Sequence, residues 1–306
     1  MQSFFIVFGQ VLSLFILMGV GFGMYKAKLI NDTGASQMTD LLLYAVTPCI
    51  VINAFNRKFD PSTAASIGIF AIAGFFVMTL GVLFGMIIFR GGDKDARAVK
   101  RFSLVFSNCG FMGIPLTEAI CGDEGVLYAS IFLAIFNLFQ WTYGVAVMSG
   151  EKLSVRKAVL NPCVLGLAVG LPLFFFSLEM PSPVQSAVSM LADLNSPLAM
   201  VIIGTHLAKT DILGTLKDVR CYVMSLLRLI VMPALVLIPI MFVPWLNENQ
   251  IITLAIQSGA PVAAATALFA TKYGRDSQLA SRMVALSTIF SMITLPVLIS
   301  VIRIIL

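Results

Sequence analysis

The sequence predicts an all-α integral membrane protein whose ten transmembrane helices form two inverted five-helix repeats. Three observations carry that expectation. Of the 306 residues 59% are hydrophobic and 11% charged, with a mean hydropathy of +0.97, whereas a soluble domain carries roughly 25% charged residues. The apolar residues fall in runs of about 20, the length that spans a bilayer as a helix. Lipid supplies no hydrogen-bond partners, so each run must satisfy its backbone internally, and the lengths suit helices better than the roughly 10-residue alternating strands of a barrel. Finally, a set of prolines and glycines recurs at about half the chain length.

Taken in order, the run 4–24 lacks the basic leader of a secretion signal and is long enough to cross, so it reads as span 1. Span 2, 37–55, contains Pro48 in LLLYAVTPCIVINAF, and span 3 covers 64–89. Span 4, 101–121, carries SNCGFMGIPL, Ser107 to Leu116, an asparagine, two glycines and a proline inside an apolar run. Span 5, 125–148, has Asn137 at mid-depth in AIFNLF, and span 6 covers 158–178. Span 7, 185–207, contains Pro197 in MLADLNSPLAMVIIG; span 8, 221–245, encloses Arg228. Span 9, 251–271, carries QSGAP, Gln257 to Pro261, and span 10 runs over 282–305.

Charge sets the expected topology. Of the 20 Lys and Arg residues, 16 fall in the odd-numbered connections, while the even-numbered ones and the termini hold Arg57, Lys58 and Arg303. Because cytoplasmic loops are basic, the odd connections are expected in the cytoplasm and both termini outside, in a multi-pass protein of the cell (inner) membrane. The net charge of +5 is spread over these short loops and gathered on no polar face, so nucleic acid is not an expected partner. Five scattered cysteines, without CxxC or metal-ligand spacing, argue against disulfide and metal frameworks, and no cofactor is expected.

The repeat rests on three anchors. Pro48 and Pro197 are 149 residues apart, Pro115 and Pro261 are 146 apart, and the glycines of CGDEG and YGRDS, Gly122 and Gly274, are 152 apart. Residues 1–150 and 151–306 are thus expected to form one five-helix repeat each, and an odd number of spans inverts the second.

Inverted repeats with Gly/Pro-interrupted helices at matching places point to a transporter binding site. Proline removes a backbone donor, and glycine leaves helical geometry cheaply, so the ladder opens at Asn108–Pro115 and Gln257–Pro261. Each proline sits where a new half-helix starts, and two positive N-terminal ends near the protein centre favour an anion. The candidate substrate-binding residues are Asn108, Gly110, Gly113, Pro115, Asn137, Gln257, Ser258, Gly259 and Pro261. The neutral amides and hydroxyl would bond a carboxylate without holding it as a buried cation would. Against this, proline and glycine often only kink transmembrane helices, and Asn137 is as well placed to bridge to a neighbouring helix. Four further residues are accessory candidates. Glu118 and Asp193, toward the outer side, suit proton coupling or a solvated vestibule; Arg228 suits anion attraction or anchoring; His206 suits an interfacial position or a proton relay.

SNCGFMGIPL followed by EAICG resembles the auxin efflux carrier family, which includes plant exporters and bacterial permeases. A proline in AP at 260–261 followed by LFATKYG at 268–274 is similar to the same family's ninth helix. The resemblance covers essentially the whole chain. It implies a transport domain and a scaffold, an organic-anion site at the crossing of spans 4 and 9, roles there for Asn108, Pro115, Asn137 and Pro261, and a homodimer. The chain departs from the plant pattern in its short connection between spans 5 and 6 and in Glu118, where plant members tend to carry Lys.

The expected function is therefore secondary transport of small organic anions, carboxylates such as malate or auxin-like acids, by alternating access. The alternative is a Na⁺-coupled symporter of the bile-acid type, with unwound carbonyls binding Na⁺. An intramembrane enzyme is not expected. It would need a nucleophile with a base or an aspartate pair at depth, whereas the chain has one His, no GxSxG, and Asp40 and Asp193 predicted on opposite sides.

Overall fold

A computed structural model describes residues 2–150 and 161–306, with residues 2–7 and 212 described by their backbone alone. The connection carrying Lys152, Arg156 and Lys157, the boundary between the two predicted repeats and the first residues of predicted span 6 lie outside the described residues. Among the described residues every regular element is helical, and strand-like pairing is limited to one bridge.

Helix α1 (Gln2–Lys26) is followed by α2 (Asp32–Leu41) and α3 (Thr47–Phe55), then α4 (Pro61–Ile88) and α5 (Lys94–Val105). After a break come α6 (Ile114–Phe139) and α7 (Val145–Ser149), and beyond the undescribed connection α8 (Pro162–Phe175). The second half continues with α9 (Ser182–Asp193), α10 (Asn195–Lys209), α11 (Ile212–Lys217), α12 (Val219–Leu226) and α13 (Met232–Ile240). It closes with α14 (Glu248–Gly259), α15 (Ala265–Lys272) and α16 (Ser277–Ile305).

Among the described residues seven segments are long and apolar enough to cross a membrane: Phe8–Lys26, Asp32–Phe55, Pro61–Ile88, Cys109–Ser149, Ser182–Lys209, Val219–Ile240 and Ser277–Ile305. The described residues thus make an all-helical, multi-pass membrane protein. Cys109–Ser149 has 41 residues, about twice what a bilayer needs. It breaks at Gly122, whose φ of 60° and ψ of −153° suit only glycine, where the acidic turn was expected.

Proline explains much of the local irregularity. The π-helical turns Leu42–Val46, Cys109–Gly113 and Leu227–Val231 each run into a helix with proline in its first turn, Pro48, Pro115 and Pro233. A residue without an N–H cannot continue the i to i−4 ladder, so the turn before it widens.

The polar contacts sort to two ends. At one end Lys209 pairs with Asp32, Arg275 with Asp95 (2.5 Å), and Arg282 with Asp211 (3.0 Å) and Asp218 (3.9 Å). These residues flank the odd-numbered connections. At the other end Arg57 donates to the Asp123 carbonyl (3.3 Å), the Phe59 N–H to Ser177 Oγ (2.9 Å), Asn249 to Glu124 (2.6 Å) and Gln250 to the Ser66 carbonyl (3.0 Å). The glycines set the closest helix contacts. A Cβ on Gly204 of α10 would lie 2.0 Å from the Met18 carbonyl of α1, and one on Gly166 of α8 2.9 Å from Pro48 of α3.

Candidate functional site

The two interrupted segments meet. Between α5 and the π turn, Phe106, Ser107 and Asn108 leave helical geometry, as do Ala260 to Val262 after α14. Ser107 and Val262 form an antiparallel bridge, with the Asn108 N–H donating to the Pro261 carbonyl (2.7 Å) and the Ala263 N–H to the Phe106 carbonyl (3.0 Å). Each break thus satisfies part of the backbone opened by the other, as buried main-chain groups require. The Val262 N–H is taken by Ser287 Oγ of α16 (3.1 Å).

Pro115 lies in the first turn of α6, as expected, whereas Pro261 lies within the second break, four residues before α15 starts. Without an N–H it offers only a carbonyl there, and Asn108 takes it.

Arg228, 2% exposed, completes the crossing. Its Nη1 donates to the Leu104 carbonyl of α5 (3.1 Å), Nε to the Ala260 carbonyl (3.1 Å) and Nη2 to the Gln257 carbonyl (3.5 Å). It therefore caps the negative C-terminal ends of both helices that stop at the crossing. It reaches into the protein centre instead of toward the interface. Among the described residues its partners are carbonyls and no carboxylate, so its positive charge is uncompensated by a side chain.

Asn108, 5% exposed, gives its main-chain groups to the crossing: its carbonyl accepts from the Met112 and Gly113 N–H groups (3.1 Å each). Its side-chain Nδ2 has no hydrogen-bond partner among the described residues. An unpaired buried donor costs about 1–3 kcal/mol, a cost that a ligand oxygen would remove. Gln257 is wedged against the first segment. Its Nε2 donates to Thr117 Oγ1 (3.3 Å), which in turn donates to the Gly113 carbonyl (2.8 Å), and a Cβ on Gly113 would lie 2.2 Å from Gln257 Oε1.

The other expected residues take these places. Gly110 lies beside the Leu133 side chain and its carbonyl accepts from Asn195 Nδ2 (3.4 Å). Asn137, one turn beyond Leu133, donates to the Leu133 carbonyl (2.8 Å) on its own helix. Ser258 returns its hydroxyl to the Ala255 carbonyl (3.2 Å), and a Cβ on Gly259 would lie 2.4 Å from Leu298 of α16. Glu118 and Asp193 are exposed and within electrostatic reach of one another. His206 lies within electrostatic reach of Lys209 and Asp32. The crossing thus gathers Asn108, Gly113, Gln257, Pro261 and Arg228. Asn195, 5% exposed, is a contact the sequence reading missed; the polar Asn–Ser–Pro at the gap between α9 and α10 was its signal.

Residues 6–155 and 149–299 match the family described as "Membrane transport protein". An uncharacterized transporter of Methanocaldococcus jannaschii is 25% identical over 301 residues, covering 93% of this chain and 95% of the relative. A Rhizobium meliloti protein named "Putative malonate transporter" is 22% identical over 309 residues, covering 96% and 95%. An uncharacterized transporter of Methanothermobacter thermautotrophicus is 23% identical, covering 94% and 95%.

Proposed function

The chain belongs to the membrane transport protein family, that of the auxin efflux carriers, and from that premise we propose that it is a secondary transporter of small organic anions, a carrier and not an enzyme, working by alternating access at the crossing. The observation that carries this reading is the pair of broken segments joined by reciprocal backbone bonds, with the unpartnered Asn108 amide and the uncompensated Arg228 beside them. The N-terminal ends of the half-helices that follow the breaks, the Asn108 N–H₂ group and the cation all favour negative charge. The name of the Rhizobium meliloti relative makes malonate the first short dicarboxylate to try, with malate next.

The finer architecture belongs to the same reading. Besides the seven long segments, the interrupted α5–α6 and α14–α15 stretches, the break at Gly122 and the short α8 supply the remaining crossings of a ten-span chain. The packing of α1 on α10 and of α8 on α3 relates spans 1 and 7 as it relates spans 6 and 2, which is what a five-span repeat requires. The ion-paired end is the cytoplasmic one by its basic connections, which leaves the termini outside the cell membrane, and the working unit is a homodimer.

A thermal-shift screen of the purified protein against carboxylates tests the substrate class. Malonate or another short dicarboxylate is expected to raise the unfolding temperature in proportion to the logarithm of its concentration, and no shift with any carboxylate would count against the reading. Na⁺-dependent uptake in proteoliposomes would favour the symporter instead.

A further inference from the structure

A cavity of about 20 Å³ lies between α10, α15 and α16, lined among others by His206, Thr210, Ala264, Ala267, Ser281 and Thr288. One end is marked by His206, three residues from Lys209, and by Ser281 beside Arg282, both at the ion-paired face. The other end is marked by Ala264 and Thr288, the neighbours of Ala263 and Ser287, which hold the crossing. The cavity therefore lies between residues that adjoin the ion-paired face and residues that adjoin the crossing. On the opposite side of α15 the space is filled: Phe269 packs on Phe102 (5.3 Å between ring centroids), Phe102 on Phe106 (4.4 Å) and Phe106 on Phe136 (5.3 Å).

Within this cavity the hydroxyls of Thr210 and Thr288 are given to main-chain carbonyls, those of His206 and Val284. His206 is the only histidine of the chain, and among the described residues its ring nitrogens have no hydrogen-bond partner. The charged groups around it are already engaged. Lys209 on its own helix is paired with Asp32 and lies over the Tyr25 ring, Tyr25 donates to Asp32 (3.0 Å), and Arg282 is taken by Asp211 and Asp218.

We propose that this cavity is the passage between the crossing and the ion-paired face, and that His206 is the side chain that meets the substrate carboxylate in it. This rests on the transport reading above. An imidazole offers an N–H to a carboxylate whether neutral or charged, and here no acceptor among the described residues takes it. The cavity has room for about one water molecule, so passage of a dicarboxylate requires α10 to separate from α15 and α16, as alternating access supplies.

Two arms test the proposal on the full chain in proteoliposomes. In the first, His206→Phe is expected to lower kcat/KM for malonate about tenfold or more, and His206→Gln, which keeps an N–H donor, to stay within about threefold of the parent. Both variants should retain the parent's unfolding temperature and its thermal stabilisation by malonate, which separates a contact on the route from a structural role. A Phe variant as active as the parent would overturn the proposal. In the second arm, Ser281→Cys is expected to react with a membrane-impermeant maleimide added at the ion-paired face, above the labelling of the parent, and malonate should slow that reaction. A thiol that stays unlabelled from that face would overturn the passage. If the parent moves no carboxylate at all, the transport reading fails, while the labelling still decides whether the cavity is open.

Discussion

Asn108 and Arg228 divide the work of the crossing between them. The place of Asn108 at a break was legible in the sequence, because an amide inside an apolar run beside glycines and a proline marks where the helix opens. The capping role of Arg228 could not be read. Its partners lie 124, 32 and 29 residues away and are backbone carbonyls, so no local pattern marks them. Replacing Arg228 with Met leaves those carbonyls unpaired in a dry interior, so Arg228→Met is expected to cost about 3 kcal/mol or more, read as a fall of at least about 6 °C in apparent unfolding temperature. A variant as stable as the parent would mean that the capping contributes nothing. Glu118 and Asp193 make a separate case. If either couples protons, Glu118→Gln or Asp193→Asn will abolish the dependence of uptake on a pH gradient, and a dependence that survives removes that residue from the coupling path.

At the scale of elements, the breaks and their prolines were legible, since proline and glycine act on the chain locally. The way the breaks pair was not. Matching Pro115 to Pro261 put the prolines at equivalent places, whereas the bridge joins Ser107 to Val262 and leaves Pro261 inside its break. That register is chosen by which main-chain groups meet, and only the assembled helices decide it. Gly113 is where the two segments come closest. A Gly113→Val side chain would collide with Gln257, so it is expected to reduce uptake strongly while helical content by circular dichroism is retained; normal uptake would show that the close approach is dispensable. The Asp211 and Asp218 connection supports a pH prediction outside the spans. The Gly214 N–H, and beyond it Arg282, hold the Asp211 carboxyl below its usual 3.8, and Arg220 does the same for Asp218. Groups whose folded values are depressed stabilise the fold above 3.8 and lose that contribution as pH falls through the lower folded values. The unfolding temperature of the parent should therefore drop on acidification below about pH 4, and Arg282→Gln should blunt the drop.

For the whole molecule, the helical, membrane-spanning class followed from composition and run length alone, because the hydrocarbon core constrains every crossing segment in the same way. The bias in Lys and Arg sets the expected sidedness, and the structure gathers the ion pairs that flank those connections at one end. In intact cells an impermeant thiol reagent is expected to label Lys58→Cys and to reach Lys94→Cys only after permeabilisation; the reverse pattern would invert the molecule. The joining of the two halves at one anion-attracting crossing is the central claim. It is tested most directly by uptake of labelled malonate into proteoliposomes containing the parent or Asn108→Ala. Saturable uptake by the parent, lost in an Asn108→Ala variant of unchanged unfolding temperature, is the predicted result. Equal uptake by the two would contradict it.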